Sequence, residues 1–139
     1  MTIDTSIYHV IESHSDNIST IQFWDNGIIS IRLKDNVQVE LEDSLKQYNY
    51  LKSKYDGKNK HLILVESGVY TSISKEAREF ATKPESNEMT MATAVIVKSL
   101  AHRIIINFII NITNQQKMKM RMFEDRQKAI NWLLSFKNT

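Results

Sequence analysis

No cysteine occurs in the chain, and among its 139 residues there are only one proline and three glycines. The lack of thiols excludes disulfide scaffolds, thiolate metal sites and cysteine nucleophiles. Glycines at positions 27, 57 and 68 cannot build the Gly-rich loop that cradles phosphates in nucleotide-binding folds. A long uncharged apolar run is also missing. The most apolar stretch, Ala92 to Ile112, is interrupted by Lys98, His102, Arg103, Asn107 and Asn111, whereas a bilayer span wants about twenty apolar residues with few charges. That stretch reads as a buried core segment, so no membrane span is expected. Met1 to Asp16 has no basic start followed by an apolar core, so it does not read as a signal peptide. These absences point to a cytoplasmic protein.

What is present is an ordinary soluble composition, 42% hydrophobic and 24% charged, at a length that suits one domain. Residues 18–139 read as that domain, behind an N-terminal extension over residues 1–17. The formal net charge of +2 conceals an uneven spread: residues 1–82 balance at −3 and residues 83–139 at +5. Such asymmetry can mark a basic face, although a packed fold also mixes its halves.

Ile18 to Trp24 and Ile28 to Leu33 are rich in β-branched and aromatic residues, and Asp25-Asn26-Gly27 separates them. That is a hairpin signal, since the turn needs positive φ and these residues tolerate it. Val37 to Leu41 alternates after the turn candidate Asp35-Asn36, so the chain is expected to open with two or three antiparallel strands. Leu41, Leu45, Tyr48, Leu51 or Lys52, and Tyr55 then recur at helical spacing, with Asp43 as candidate N-cap and Gly57 as stop signal. His61 to Val65 is a short unbroken apolar run, as in a strand buried on both faces. Ser74 can cap a helix over Lys75 to Thr82 that Pro84 closes off, and Glu85 to Thr90 reads as a loop. Ala92 to Val97 reads as another buried strand. In Leu100 to Ile112 the even positions suit a strand, while the rows Leu100–Ile104–Phe108 and Ala101–Ile105–Ile109 suit a mostly buried helix. The helix fits the surrounding alternation of strands and helices. Met118, Met120 and Met122 alternate with Lys117, Lys119 and Arg121 as a half-buried strand. Asp125 caps a last helix with an apolar stripe of Ala129, Ile130, Leu133 and Leu134. Strands separated by single helices imply a largely parallel sheet. The predicted class is α/β: a mixed, mainly parallel sheet with an N-terminal β-hairpin and about four helices.

In this order of elements the chain resembles STAS domains, the fold of bacterial anti-sigma-factor antagonists (SpoIIAA-like), and in particular small uncharacterised SpoIIAA-like proteins of Bacteroidetes. The resemblance is carried by Asn26-Gly-Ile-Ile-Ser-Ile-Arg-Leu-Lys34, Val39-Glu-Leu-Glu-Asp43, Leu62-Ile-Leu-Val65, Ser74-Lys-Glu-Ala-Arg78, Ala92-Thr-Ala-Val-Ile-Val97, Asn107-Phe108, and Phe123 with Ala129-Ile-Asn-Trp-Leu133. In the antagonists, a partner kinase phosphorylates a serine or threonine of an Asp-Ser-Ser-Gly motif at the start of the helix after the central strand. Here Ile73 takes the place of the aspartate and Lys75 that of the second serine, so the motif is broken. A helix start still suits a phosphate at Ser72 or Ser74, and a plain N-cap role for Ser74 competes with that reading.

His9, His14, His61 and His102 form no helical i, i+4 pair and no compact ligand set with carboxylates, so no metal or other cofactor is expected. His61 and His102 read as solvated or locally satisfied. Ser67-Gly68 after a strand is like a nucleophile elbow, but Gly-x-Ser-x-Gly is absent. Lys117, Lys119 and Arg121, extended by Lys98, Arg103, Arg126 and Lys128, would make a basic patch. Methionines rather than exposed aromatics alternate with them, and lysines commonly guard an edge strand, so a nucleic-acid partner is not expected. Ligands gather beyond the carboxyl ends of parallel strands, which singles out Tyr70 to Ser74 together with Thr82 to Thr90. The resulting expectation is a non-enzymatic STAS-like regulatory or protein-interaction domain, a homodimer or bound to a regulatory partner. Its contact or phosphorylation surface is Ser67, Tyr70, Thr71, Ser72, Ser74, Lys75 and Arg78. The alternatives are a carrier of a small apolar, lipid-like ligand, held between the sheet and Leu100 to Ile112, and an uncharacterised enzyme. Remote similarity of this fold group to lipid-binding CRAL-TRIO domains motivates the carrier.

Overall fold

The computed structural model describes residues 8–115 and 119–137. Three antiparallel strands open the chain: β1 (Val10–Ser15), β2 (Ser19–Trp24) and β3 (Ile28–Leu33). Gly27 alone of the Asp-Asn-Gly turn takes positive φ, +92°, and its N–H donates to the Trp24 carbonyl at 3.1 Å. The third antiparallel strand is therefore β1, inside the stretch read as an extension, and not Val37 to Leu41. From the latter only β4 (Gln38–Val39) forms, and it runs parallel to β6 (Ser72–Ile73) in a separate two-stranded sheet.

Helix α1 (Leu41–Ser53) starts at Glu40, not Asp43. Asp43 is the third helical residue and accepts from the Glu40 N–H at 2.9 Å, in a capping box that Glu40 reciprocates. An acidic residue at either place satisfies a free N–H, so composition alone does not separate them. β5 (His61–Glu66), α2 (Lys75–Ala81), β7 (Thr90–Ile96), α3 (Leu100–Gln115), β8 (Lys119–Phe123) and α4 (Arg126–Leu134) complete the order. The stretch expected as a loop after Pro84 is in part a 3-10 turn, Pro84–Asn87. Met118 and Lys117 lie outside the described residues.

The main sheet has the order β1-β2-β3-β5-β7-β8, with β3, β5, β7 and β8 mutually parallel. One face packs Trp24, Ile28, Leu62, Leu64, Ala92, Ala94 and Ile96 against Ala129, Ile130 and Leu133 of α4. The alanines of β7 leave room for that helix to approach the sheet closely. On the other face, Ile21, Ile29, Ile31 and Ile63 meet Leu51 of α1. Further along, Leu33, Val65, Val95 and Val97 face Ile105 and Ile106 of α3. Period-two alternation thus sends neighbouring residues of each central strand to opposite helical layers.

Candidate functional site

At the carboxyl end of β5 two consecutive residues serve opposite faces. Glu66, only 5% exposed, receives Arg126 Nε at 2.7 Å and Arg32 at 3.3 Å, and the Arg126 guanidinium also donates to the Tyr8 hydroxyl at 2.9 Å. The carboxylate is compensated from β3 and α4 and ties both to β5, as a buried charge must be. Ser67 turns the other way, and its hydroxyl lies 3.1 Å from His102 Nδ1 in the first turn of α3.

The chain then bends tightly. A Cβ on Gly68 would stand 2.7 Å from the Lys34 backbone and the Asp35 carboxylate, so only glycine fits this approach. Asp35 accepts the Val69 N–H at 2.7 Å, and the Val69 carbonyl accepts the Asn36 N–H at 2.9 Å. Tyr70 has φ +57° and stands 82% exposed. A left-handed backbone is uncommon for a bulky residue and persists where neighbours over-determine it. Thr71 does so from the far side: it is buried, and its hydroxyl donates to the Lys34 carbonyl at 2.8 Å. His102 Nε2 sits 2.5 Å from the Thr71 carbonyl. The loop is fixed at both ends and presents one aromatic ring to solvent.

The other expected site residues separate into distinct roles. Ser72 is exposed and its hydroxyl bonds the Gln38 side chain at 3.3 Å. Ser74 is the N-cap of α2, accepting the Ala77 N–H at 3.1 Å. Lys75 and Arg78 stand on α2 beside an open groove of about 540 Å³ whose opposite wall is Ile104, Ile105, Phe108 and Ile112. The structure therefore brings Ser67 and Thr71 to His102, and Lys75 and Arg78 to the α3 groove. Tyr70 and Ser72 point outward.

Helix α3 corrects the sequence reading most. It is a helix, but not a mostly buried one: Leu100, Ile104 and Phe108 are 72%, 63% and 59% exposed, and only Ile109 and Thr113 are buried. Two apolar rows about 100° apart cover more of a helix than one sheet face receives, so Ile105 and Ile109 face inward, Ala101 at the start of their row is exposed, and the other row is left outside. Beneath α3 lies a cavity of about 50 Å³, walled by Leu33, Val65, Val95, Ile105 and Ile106 and rimmed by Ser67, Thr71 and His102.

The basic residues do not make one free surface. Arg103 pairs with Glu124, Arg126 with Glu66, Lys119 lies 4.9 Å over the Phe136 ring and Arg121 5.0 Å over that of Phe123. Among the described residues, no three His, Asp or Glu side chains gather as a metal ligand set, and no helix is long and apolar enough to cross a membrane.

Residues 22–137 match the family described as Domain of unknown function (DUF7793). The chain belongs to that family. A comparison with curated proteins finds no match. Among solved structures, the DUF7793 chain is similar to an uncharacterised protein of the DUF3478 family from Shewanella loihica PV-4. That protein's crystal structure, at 2.25 Å resolution, has a SpoIIAA-like fold. Identity is 13%, the TM-score is 0.58, and the alignment covers 96% of this chain and 98% of that one. At this identity the likeness is one of fold, and it agrees with the SpoIIAA-like α/β plan described above. Sequence reasoning missed two features of this DUF7793 member. His102, expected to be solvated or locally satisfied, is satisfied by Ser67 and Thr71 from another part of the chain. The Leu100–Ile104–Phe108 row was read as core, though the pair of apolar rows already signalled a surplus.

Proposed function

We propose that this protein is a cytoplasmic STAS-like interaction domain that works by protein contact rather than by catalytic turnover, its first partner being a second copy of itself. The observation that carries this is the exposed row Leu100, Ile104 and Phe108 on α3. Each such side chain gives about 1.5–3 kcal/mol when fully buried, so leaving three in water in one row favours a partner. Asn107 and Asn111 beside the row are exposed and neutral, and Arg103, one turn before Asn107, is paired with Glu124. Across the groove, Lys75, Arg78 and Glu79 supply both signs of charge. A surface of that kind can meet its own two-fold copy without like-charge repulsion. The predicted surface from Ser67 to Arg78 then forms one bank of the interface, through Lys75 and Arg78, and α3 the other.

The carrier reading draws on the cavity under α3. At about 50 Å³ it falls well below the roughly 300–1,000 Å³ of pockets for drug-sized ligands, so a lipid-sized occupant requires α3 to move off the sheet. Sedimentation velocity separates the two. A wild-type dimer that Phe108→Asp turns into a folded monomer supports self-association. A wild-type monomer at every concentration, or a variant that remains dimeric, contradicts it.

A further inference from the structure

We infer that Ser67 is an acyl-accepting hydroxyl, with His102 as its base and the cavity under α3 as the seat of a short acyl group. The carbonyl of Thr71 only accepts, so His102 Nε2, 2.5 Å away, carries a proton. In the neutral ring the lone pair is then on Nδ1, and the Ser67 hydroxyl 3.1 Å from it donates there. Nucleophile, base and orienting group thus stand in the relation that nucleophilic acyl chemistry requires. The ring lies between Ser67 on Nδ1 and Thr71 on Nε2. Thr71 is buried and tied to the Lys34 carbonyl, and the backbone N–H of His102 donates to the Ser99 hydroxyl at 3.2 Å. Ser67 and His102 are both half-buried, which leaves the pair open to a small reagent.

The cavity is an independent observation. It opens beside Ser67, its walls are aliphatic, and its volume of about 50 Å³ holds about two groups the size of a water molecule. The methyl of an acetyl group or the ethyl of a propionyl group fits that space with its carbonyl at the Ser67 rim, and a long chain does not. The site also lies beyond the carboxyl end of a central parallel strand, where open α/β sheets bind ligands.

The donor is an activated short-chain ester, an aryl ester or a thioester. Ser67 Oγ bonds to the acyl carbon while its proton passes to His102 Nδ1. The bond from that carbon to the leaving oxygen or sulfur then breaks, and the leaving group takes the proton from the imidazolium. The products are acyl-Ser67, a phenol or thiol, and neutral His102. One transfer per chain is a modification, not turnover, and it stands independently of the interface proposed above.

The test is acetylation of the full chain by p-nitrophenyl acetate, followed by peptide mass spectrometry. The expected result is one acetyl group on Ser67, absent in Ser67→Ala and formed about 100-fold more slowly in His102→Gln. The glutamine amide keeps a donor for the Thr71 carbonyl and removes the base, so a purely structural histidine would leave the rate unchanged. On the wild-type chain, p-nitrophenyl octanoate is expected to label Ser67 far more slowly than the acetate, a comparison that holds even if a variant fails to fold. Acetyl groups confined to lysines, a His102→Gln rate equal to wild type, or octanoate labelling as fast as acetate would overturn the inference.

Discussion

His61 begins β5 with its ring edge-on to Tyr55, 5.5 Å between centroids. Its Nδ1 is buried, with no hydrogen-bond partner among the described residues. Burial disfavours the charged ring and holds the His61 pKa below its usual value, with the Asp56 carboxylate partly opposing the shift. The unfolded chain, with its histidines near pKa 6.5, therefore takes up this proton first on acidification. Stability present above about pH 6.5 is lost as the pH falls towards the lower folded value, and the loss ends once the folded ring also titrates. Urea midpoints measured from pH 8 down to pH 5 are expected to fall more steeply for wild type than for His61→Phe. Equal slopes would contradict this account of the ring. The residue itself was visible in the sequence, but its environment was not, because burial of one ring nitrogen depends on Tyr55 and the sheet arriving together.

Among the elements, α2 and α3 show what a linear pattern can and cannot state. The start of α2 was legible because capping is local: a serine hydroxyl reaches an N–H three residues on, and Ser74 does so to Ala77. Ser74→Ala is expected to lower stability by about 1 kcal/mol in urea unfolding, and no change would mean that the cap is idle. The α1 cap was placed three residues late because Glu40 and Asp43 bond each other's backbone N–H groups, which makes their roles look alike in sequence. Helix α3 was legible as a helix and misread in its burial. Periodicity reports that a face is apolar, and it does not report whether that face meets the sheet or another molecule. Strand β1 was missed for the opposite reason. All six of its residues are exposed, so no hydrophobic alternation marks it, and it is held by backbone pairing to β2.

For the whole molecule, the mainly parallel character of the sheet was readable because parallel strands need crossovers and each crossover here left a helical period between apolar runs. The site was half readable. The loop after β5 is where open sheets place ligands, and Tyr70 to Ser74 were named on that ground together with Thr82 to Thr90. Its partner on α3, His102, more than thirty positions away in sequence, meets it only once the chain is folded. Helix α3 is proposed as the surface between two copies. In an antiparallel two-fold pairing, the middle of the row Leu100–Ile104–Phe108 faces itself, and that residue is Ile104. The chain has no cysteine, so Ile104→Cys carries the sole thiol. Its sulfur can reach the same atom of a second copy only if the two helices pack together. Mild oxidation followed by non-reducing electrophoresis is expected to give a covalent dimer of Ile104→Cys and none of Lys58→Cys, whose thiol lies in the turn before β5. Equal cross-linking of the two variants, or none of either, would contradict the account.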